Sequence, residues 1–167
     1  MKNLRLYIGV DPGLHGAVAM INEMGNLISV QDTPIIHVKR GTSGKNVYVE
    51  TQMFALLQAL SETGTIACVG IENQHSRPGQ GAPATFSQGF GFGLWIMALA
   101  ALKLPYEKIE PMNWKKAMSI PPKSDKSASI VKALQLFPRA DIHRKKDDGR
   151  AESLLISEYL RRKLTVK

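Results

Sequence analysis

The chain has 167 residues, 44% of them hydrophobic and 22% charged, which suits one folded domain over 1–167 and excludes a disordered or fibrous polypeptide. Twenty-two Lys and Arg against 14 Asp and Glu leave a formal charge of +8 and a pI near 9.7. That surplus favours a polyanionic partner, because each phosphate met by a Lys or Arg releases condensed counterion. The single cysteine, Cys68, lies in an apolar run and excludes a disulfide framework or a Cys-rich zinc site.

Residues 4–11 are rich in strand formers and end in the turn pair Pro12-Gly13. A second strand is expected over 17–22, a turn at 23–26 with Gly25, and a third strand over 27–33, together an antiparallel meander. The polar, basic segment 35–46 reads as a mobile loop. Met53, Leu56, Leu57 and Leu60 recur at helical spacing in 50–61, and 66–72 is a buried-type strand ending in a carboxylate. A loop rich in Pro, Gly and Gln follows over 75–83.

An apolar helix is expected over 87–103, entered through Gly89, Gly91 and Gly93, then a short strand over 106–110 halted by Pro111. Ser124 is placed to cap a helix over 125–137, and a last helix spans 147–163. The order βββ-α-β-α-β-α-α implies a mixed sheet flanked by helices, an α/β fold. Residues 1–10 carry no signal-peptide pattern, and glycines punctuate the most apolar run. The expectation is an intracellular protein, not secreted, with no membrane partner and no organic cofactor.

Four carboxylates stand where such a fold can gather them. Asp11 closes the first strand and Glu72 the fourth. If these strands are parallel neighbours, the two acids converge at one end of the sheet. Asp148 and Glu152, four apart, share one face of the last helix. Oxygen-only ligands of this kind select Mg²⁺ or Mn²⁺, and two such ions can hydrolyse a phosphodiester. Each acid also has an ordinary reading: Asp11 as a turn former, and the helix-start acids as complements to the helix dipole. Glu72 is harder to explain so, since a carboxylate directly after a buried strand is costly without a partner.

Ile8-Gly9-Val10-Asp11-Pro12-Gly13 with Gly16-Ala17, then Ile71-Glu72, then Asp147-Asp148-Gly149-Arg150-Ala151-Glu152 resembles the RuvC-type Holliday junction resolvases, in particular their phage and chloroplast (monokaryotic chloroplast) branch. The stretches Gly89 to Trp95, Pro111 to Lys116 and Asp125-Lys126-Ser127 look like family landmarks in the right order. The resemblance implies a ribonuclease-H-like fold with a five-stranded mixed sheet. It also implies a homodimer, four-way junction DNA as substrate, and two Mg²⁺ or Mn²⁺ ions held by Asp11, Glu72, Asp148 and Glu152. Family members often carry His or Asp, then Asp, at the last two positions, so the Glu at 152 is a departure, and Asp147 is an alternative to Asp148.

By the same resemblance Lys115 or Lys116, and Lys126, hold the phosphate backbone; Lys145 and Lys146 are candidates for the same task, and a point-charge ammonium suits a phosphate oxygen. Gln74, His75 and Arg77 lie in the loop that enters the junction in several family members, with His75 in place of the usual Phe. Side chains of these types can also read base edges. Gly89 and Gly93 leave a smooth strip on a helix that serves as the family's dimer interface, or that packs on its own sheet. Trp114 reads as a core anchor for Lys115.

Three other readings compete. Asp-Pro-Gly with Gly-Ala resembles the phosphate loop of sugar kinases and actin-like ATPases, but 167 residues do not supply their two lobes. A junction-binding protein that does not cleave is opposed by the full acidic set, which would repel phosphate without metal. A nuclease of the same fold acting on RNA–DNA hybrids or other branched DNA is the remaining alternative.

Overall fold

A computed structural model describes residues 4–125 and 127–165. Strands β1 (Arg5–Asp11), β2 (Ala17–Asn22) and β3 (Leu27–Asp32) form the expected meander, and the Asn22 side chain closes the β2–β3 turn by accepting from the N–H groups of Met24 and Asn26 at 3.0 and 2.9 Å. Then come β4 (Ile35–Arg40), β5 (Ser43–Tyr48), α1 (Glu50–Ser61), β6 (Thr65–Glu72), α2 (Ala82–Ala101), β7 (Tyr106–Ile109), α3 (Pro111–Ala117), α4 (Ser127–Leu136) and α5 (Asp148–Thr165). The main sheet has the order β3-β2-β1-β6-β7, with β1, β6 and β7 mutually parallel.

Three expectations need correction, and one helix, α3, was not among the expected elements. Segment 35–46 is not a loop but most of the hairpin β4–β5, closed by a two-residue turn at Gly41-Thr42 with Gly41 at φ 60°. Its cations hid the β-branched alternation of Ile35, Ile36, Val38 and Val47. The apolar helix starts five residues early, at Ala82, and runs unbroken for 20 residues through its glycines, so one helix is long and apolar enough to cross a membrane. One face of it is nevertheless packed: Gly91, Trp95, Ala98 and Leu99 are buried. Pro111 opens the short helix α3, where its missing N–H is harmless. Helix α4 begins at Ser127, two residues after the expected start, and the Asp125 Oδ1 accepts from the Ser127 N–H at 3.3 Å.

Strand period two divides the core. Leu6, Ile8 and Val10 of β1, with Val18, Met20, Val69 and Ile71, face α1 and α2. Tyr7, Ala19 and Ile21 face α3, α4 and α5 with Trp114, Leu154 and Ile156. Each fully buried aliphatic side chain is worth roughly 1.5–3 kcal/mol on removal from water. The same alternation turns Gly9 and Asp11 toward α5.

Helix α5 sits unusually deep on the sheet. Gly9 and Gly70 are register partners in β1 and β6. A Cβ on Gly9 would collide with the Ser153 carbonyl oxygen and stand 2.6 Å from the Ser157 nitrogen, both backbone atoms of α5. At the helix start, a Cβ on Gly149 would run into the His15 carbonyl, in the turn that follows Asp11. Arg150 ties the start of α5 to neighbouring elements, Lys163 ties its far end to Glu107 of β7 at 2.8 Å, and Glu158 is paired within the helix. Arg150 binds Asp32 at 2.5 and 2.9 Å and Asp141 at 2.9 Å, and buried Glu158 accepts from Arg161 at 2.8 Å and Arg162 at 2.7 Å. Burial works against the Glu158 charge, yet the two guanidinium groups hold its carboxyl below the usual range.

Gly9→Ala should therefore lift α5 and destabilise the protein by about 1–3 kcal/mol. A thermal melt would read this as a drop of roughly 2–4 °C per kcal/mol; an unchanged midpoint would show that α5 is not seated on bare backbone.

Candidate active site

The parallel register β1–β6 pairs Val10 with Ile71, so Asp11 and Glu72 end side by side at one edge of the sheet. Both project to the α5 face, and the close seat of that helix brings Asp148 and Glu152 to the same place. The crowding is electrostatic. Asp11 is hemmed in by protein, with only its edge reachable by water, and its pKa is pushed from 3.8 up to about 8. Burial is the first cause, then the charges of Glu72, Glu152 and Asp148; one hydrogen bond from the Gly13 N–H, at 3.2 Å, works the other way. Glu72 is buried, and burial followed by the Glu152 charge raises its pKa as well.

Side chains that sequence reasoning did not assign to the acids hold them in place. Trp114, fully buried on α3, donates its indole N–H to Glu72 Oε1 at 2.9 Å. It is thus both a core anchor and a carboxylate ligand. Ser129 of α4 donates to Glu152 Oε1 at 3.1 Å, and Lys115 pairs with the same oxygen at 3.3 Å while lying 5.0 Å from the Trp114 ring centre. Only the position of Trp114 just before Lys115 hinted at this in the sequence. Asp147 is turned elsewhere. Although burial opposes its charge, hydrogen bonds from the Arg144 side chain and backbone, at 2.9 and 2.8 Å, hold its pKa down. Among the described residues no three carboxylate, imidazole or thiol groups already close around one point as a metal cage. The donor set is all oxygen with excess negative charge, which is the chemistry of a hard divalent ion.

The loop after β6 divides in two. Gln74 points inward, donating to Glu72 Oε2 at 3.2 Å and accepting from Gln88 of α2; Gln88 in turn accepts from Gln80 at 2.6 Å. His75 is exposed and, with Asn73, binds Glu110 at the end of β7, at 2.9 and 2.6 Å. Those two hydrogen bonds, Asn73 foremost, keep the Glu110 carboxyl below its usual range. Arg77 is exposed on the rim of a shallow hollow lined by Pro78, Gly79, Gln80 and Gln88.

Lys116 is exposed at the end of α3. Lys145 and Lys146 are exposed on the wall of a cleft of about 620 Å³ that also touches Asp148, His15 and Thr33. Lys126 lies outside the described residues. On α2, Gly89 and Gly93 face open space, where an added Cβ would meet nothing within 4 Å, so they do not pack on the sheet. They lie between Phe86, Phe90 and Met97, which are 76%, 44% and 65% exposed. Trp95 is core.

Neither a family model nor a curated protein matches the sequence. Solved structures do. A Thermus thermophilus RuvC in complex with a Holliday junction substrate aligns with TM-score 0.60 and 14% identity over 92% of this chain and 91% of that one. A second structure of the Thermus thermophilus protein gives 0.58 and 14% over 96% and 97%. The yeast mitochondrial Holliday junction resolvase Ydc2 gives 0.56 and 21% over 93% and 77%. The chain therefore has the ribonuclease-H-like fold of the RuvC structures, a mixed five-stranded sheet flanked by helices.

Asp11 makes stability depend on pH in a defined direction. Between its ordinary pKa of 3.8 and its folded value near 8, the unfolded chain is ionised while the folded chain keeps the proton, so folding weakens as pH rises through that window. With a chelator present, Asp11→Asn should raise the melting midpoint, by more at pH 8 than at pH 4. An equal or smaller gain at pH 8 would contradict the charge crowding.

Proposed function

We propose that this protein is a structure-specific endonuclease that resolves four-way DNA junctions by paired, metal-dependent hydrolysis of phosphodiesters. The observation that carries the reading is the meeting of Asp11, Glu72, Asp148 and Glu152 at one sheet edge, so crowded that Asp11 is pushed up to about 8. The fold shared with two resolvases, one of them solved with a Holliday junction, supports it, as does the charge of +8. The motifs Ile8 to Gly13, Ile71-Glu72 and Asp147 to Glu152 resemble the phage and chloroplast branch, to which we assign the chain. Such an enzyme would act wherever the DNA is: cytoplasm, organelle or viral nucleoid.

The four acids would hold two Mg²⁺ or Mn²⁺ ions, which supply an activated water and neutralise the leaving oxygen. Asp148 is the better third ligand, because its charge acts on Asp11 whereas Asp147 is turned to Arg144. Glu72, held by Trp114, and Glu152, held by Ser129 and Lys115, would supply carboxylate oxygens to such ions. Lys115, drawn to the rim by Glu152, offers its ammonium to the phosphate beside the acids. Lys116, Lys126, Lys145 and Lys146 extend the contact along the backbone, while His75 and Arg77 face the branch; Gln74 serves Glu72 instead. Phe86, Phe90 and Met97 around the Gly89–Gly93 strip make α2 the face on which a second copy packs, giving two active sites for two opposed strands.

The test sets a synthetic four-way junction beside a linear duplex and an RNA–DNA hybrid, with and without Mg²⁺. Symmetric nicks in the junction alone, dependent on Mg²⁺, are expected. Asp11→Asn or Glu72→Gln should abolish them while leaving junction binding equal or tighter, and Met97→Asp should turn paired nicks into single ones as the dimer dissociates. Cleavage of the hybrid instead would make the enzyme a ribonuclease. Tight junction binding without cleavage would make it a binding protein.

A further inference from the structure

The hairpin β4–β5 is not part of the main sheet; its two strands pair only with each other. Its root is tied to the acidic end of the molecule. Tyr48 donates to the Pro12 carbonyl at 3.4 Å, one residue after Asp11, Val49 N–H binds Pro34 at 3.0 Å, and Thr33 N–H binds Gly16 at 2.9 Å. Ile35 at the root lines the same cleft as Asp148, Lys145 and Lys146. Buried Tyr48 anchors this end, whereas Lys39 and residues 41–45 are exposed.

From Thr33 to Val49 the chain carries Lys39, Arg40 and Lys45 and no Asp or Glu. Register opposes Lys39 to Gly44 and Lys45 to Val38, so these two lysines occupy opposite faces of the ribbon. Near the turn one face is kept thin: a Cβ on Gly44 would strike the His37 ring, which is tied across the strands to Asn46 at 3.0 Å. A slim two-stranded ribbon with cations on both faces suits a groove with phosphates on both walls, and the major groove of a duplex admits such a ribbon. A protein strand docking on the free edges would meet the same cations, which discourage edge pairing.

We propose that β4–β5 is a DNA arm: it lies in the groove of one duplex arm of the bound junction and holds that arm as it leaves the carboxylate cluster. This rests on the junction-resolvase reading above. Six residues per strand span roughly 20 Å, about six base pairs of duplex at 3.4 Å per step.

The experiment measures anisotropy of a labelled four-way junction in EDTA across a salt series, for the wild type and the triple variant Lys39→Gln, Arg40→Gln, Lys45→Gln. All three positions belong to a hairpin outside the main sheet, and a matching melting curve verifies the fold. The variant is expected to bind about tenfold more weakly, with the slope of log affinity against log salt reduced by about 2–3. Its hydroxyl-radical footprint should lose about six base pairs of protection on one arm. Wild-type affinity, slope and footprint in the variant would overturn the DNA arm while leaving the resolvase reading intact. A wild type that neither binds nor cuts the junction would overturn both.

Discussion

At Gly9 and Gly70, side by side in β1 and β6, the sheet offers backbone where a side chain would stand, and α5 settles into that gap until Ser153 and Ser157 lie against β1. The position of the acidic cluster follows from this contact. Asp11 is two residues beyond Gly9 and Glu72 two beyond Gly70, each on the same face as its glycine. Glu152 is one residue before Ser153, and Asp148 is one turn earlier. The seat that packs the core thus also sets the spacing of the carboxylates.

Such a cluster works against folding, and the surrounding structure offsets it locally. Trp114 and Lys115 of α3, Ser129 of α4 and Gln74 of the loop after β6 each satisfy an acid, so all three elements are fastened at the acidic edge. The ends of α5 are pinned independently, by Arg150 at one end and by Lys163 bound to Glu107 of β7 at the other. A rigid helix over a repelling site is a sound frame for a cation, because the ligands need only turn their side chains. Glutamines 74, 88 and 80 carry the network from Glu72 into α2, whose other face is apolar and exposed.

Much of this was legible in the amino-acid order, and for physical reasons. Strand formers bounded by Pro-Gly and Gly25 announce the meander, and a carboxylate closing each of two buried strands announces the acidic edge. The β4–β5 ribbon was not legible, because Lys39, Arg40 and Lys45 and the glycines between them mask the short β-branched pattern of Ile36, Val38 and Val47. Nor was the inward turn of Gln74: polarity says that a glutamine needs partners, not whether water or Glu72 supplies them. Trp114 was readable as core, but its bond to Glu72 depends on α3, a seven-residue helix whose opening proline resembles a break.

The cluster as a metal centre is open to one decisive observation: anomalous diffraction from a crystal of this protein grown with Mn²⁺. Manganese peaks touching Asp11 and at least two of Glu72, Asp148 and Glu152 are expected, with a pair of ions separated by about 3.5–4 Å when both are bound. Manganese found only elsewhere, for example at Glu110 and His75, or absent from Asp11 at concentrations that support cleavage, would contradict the assignment.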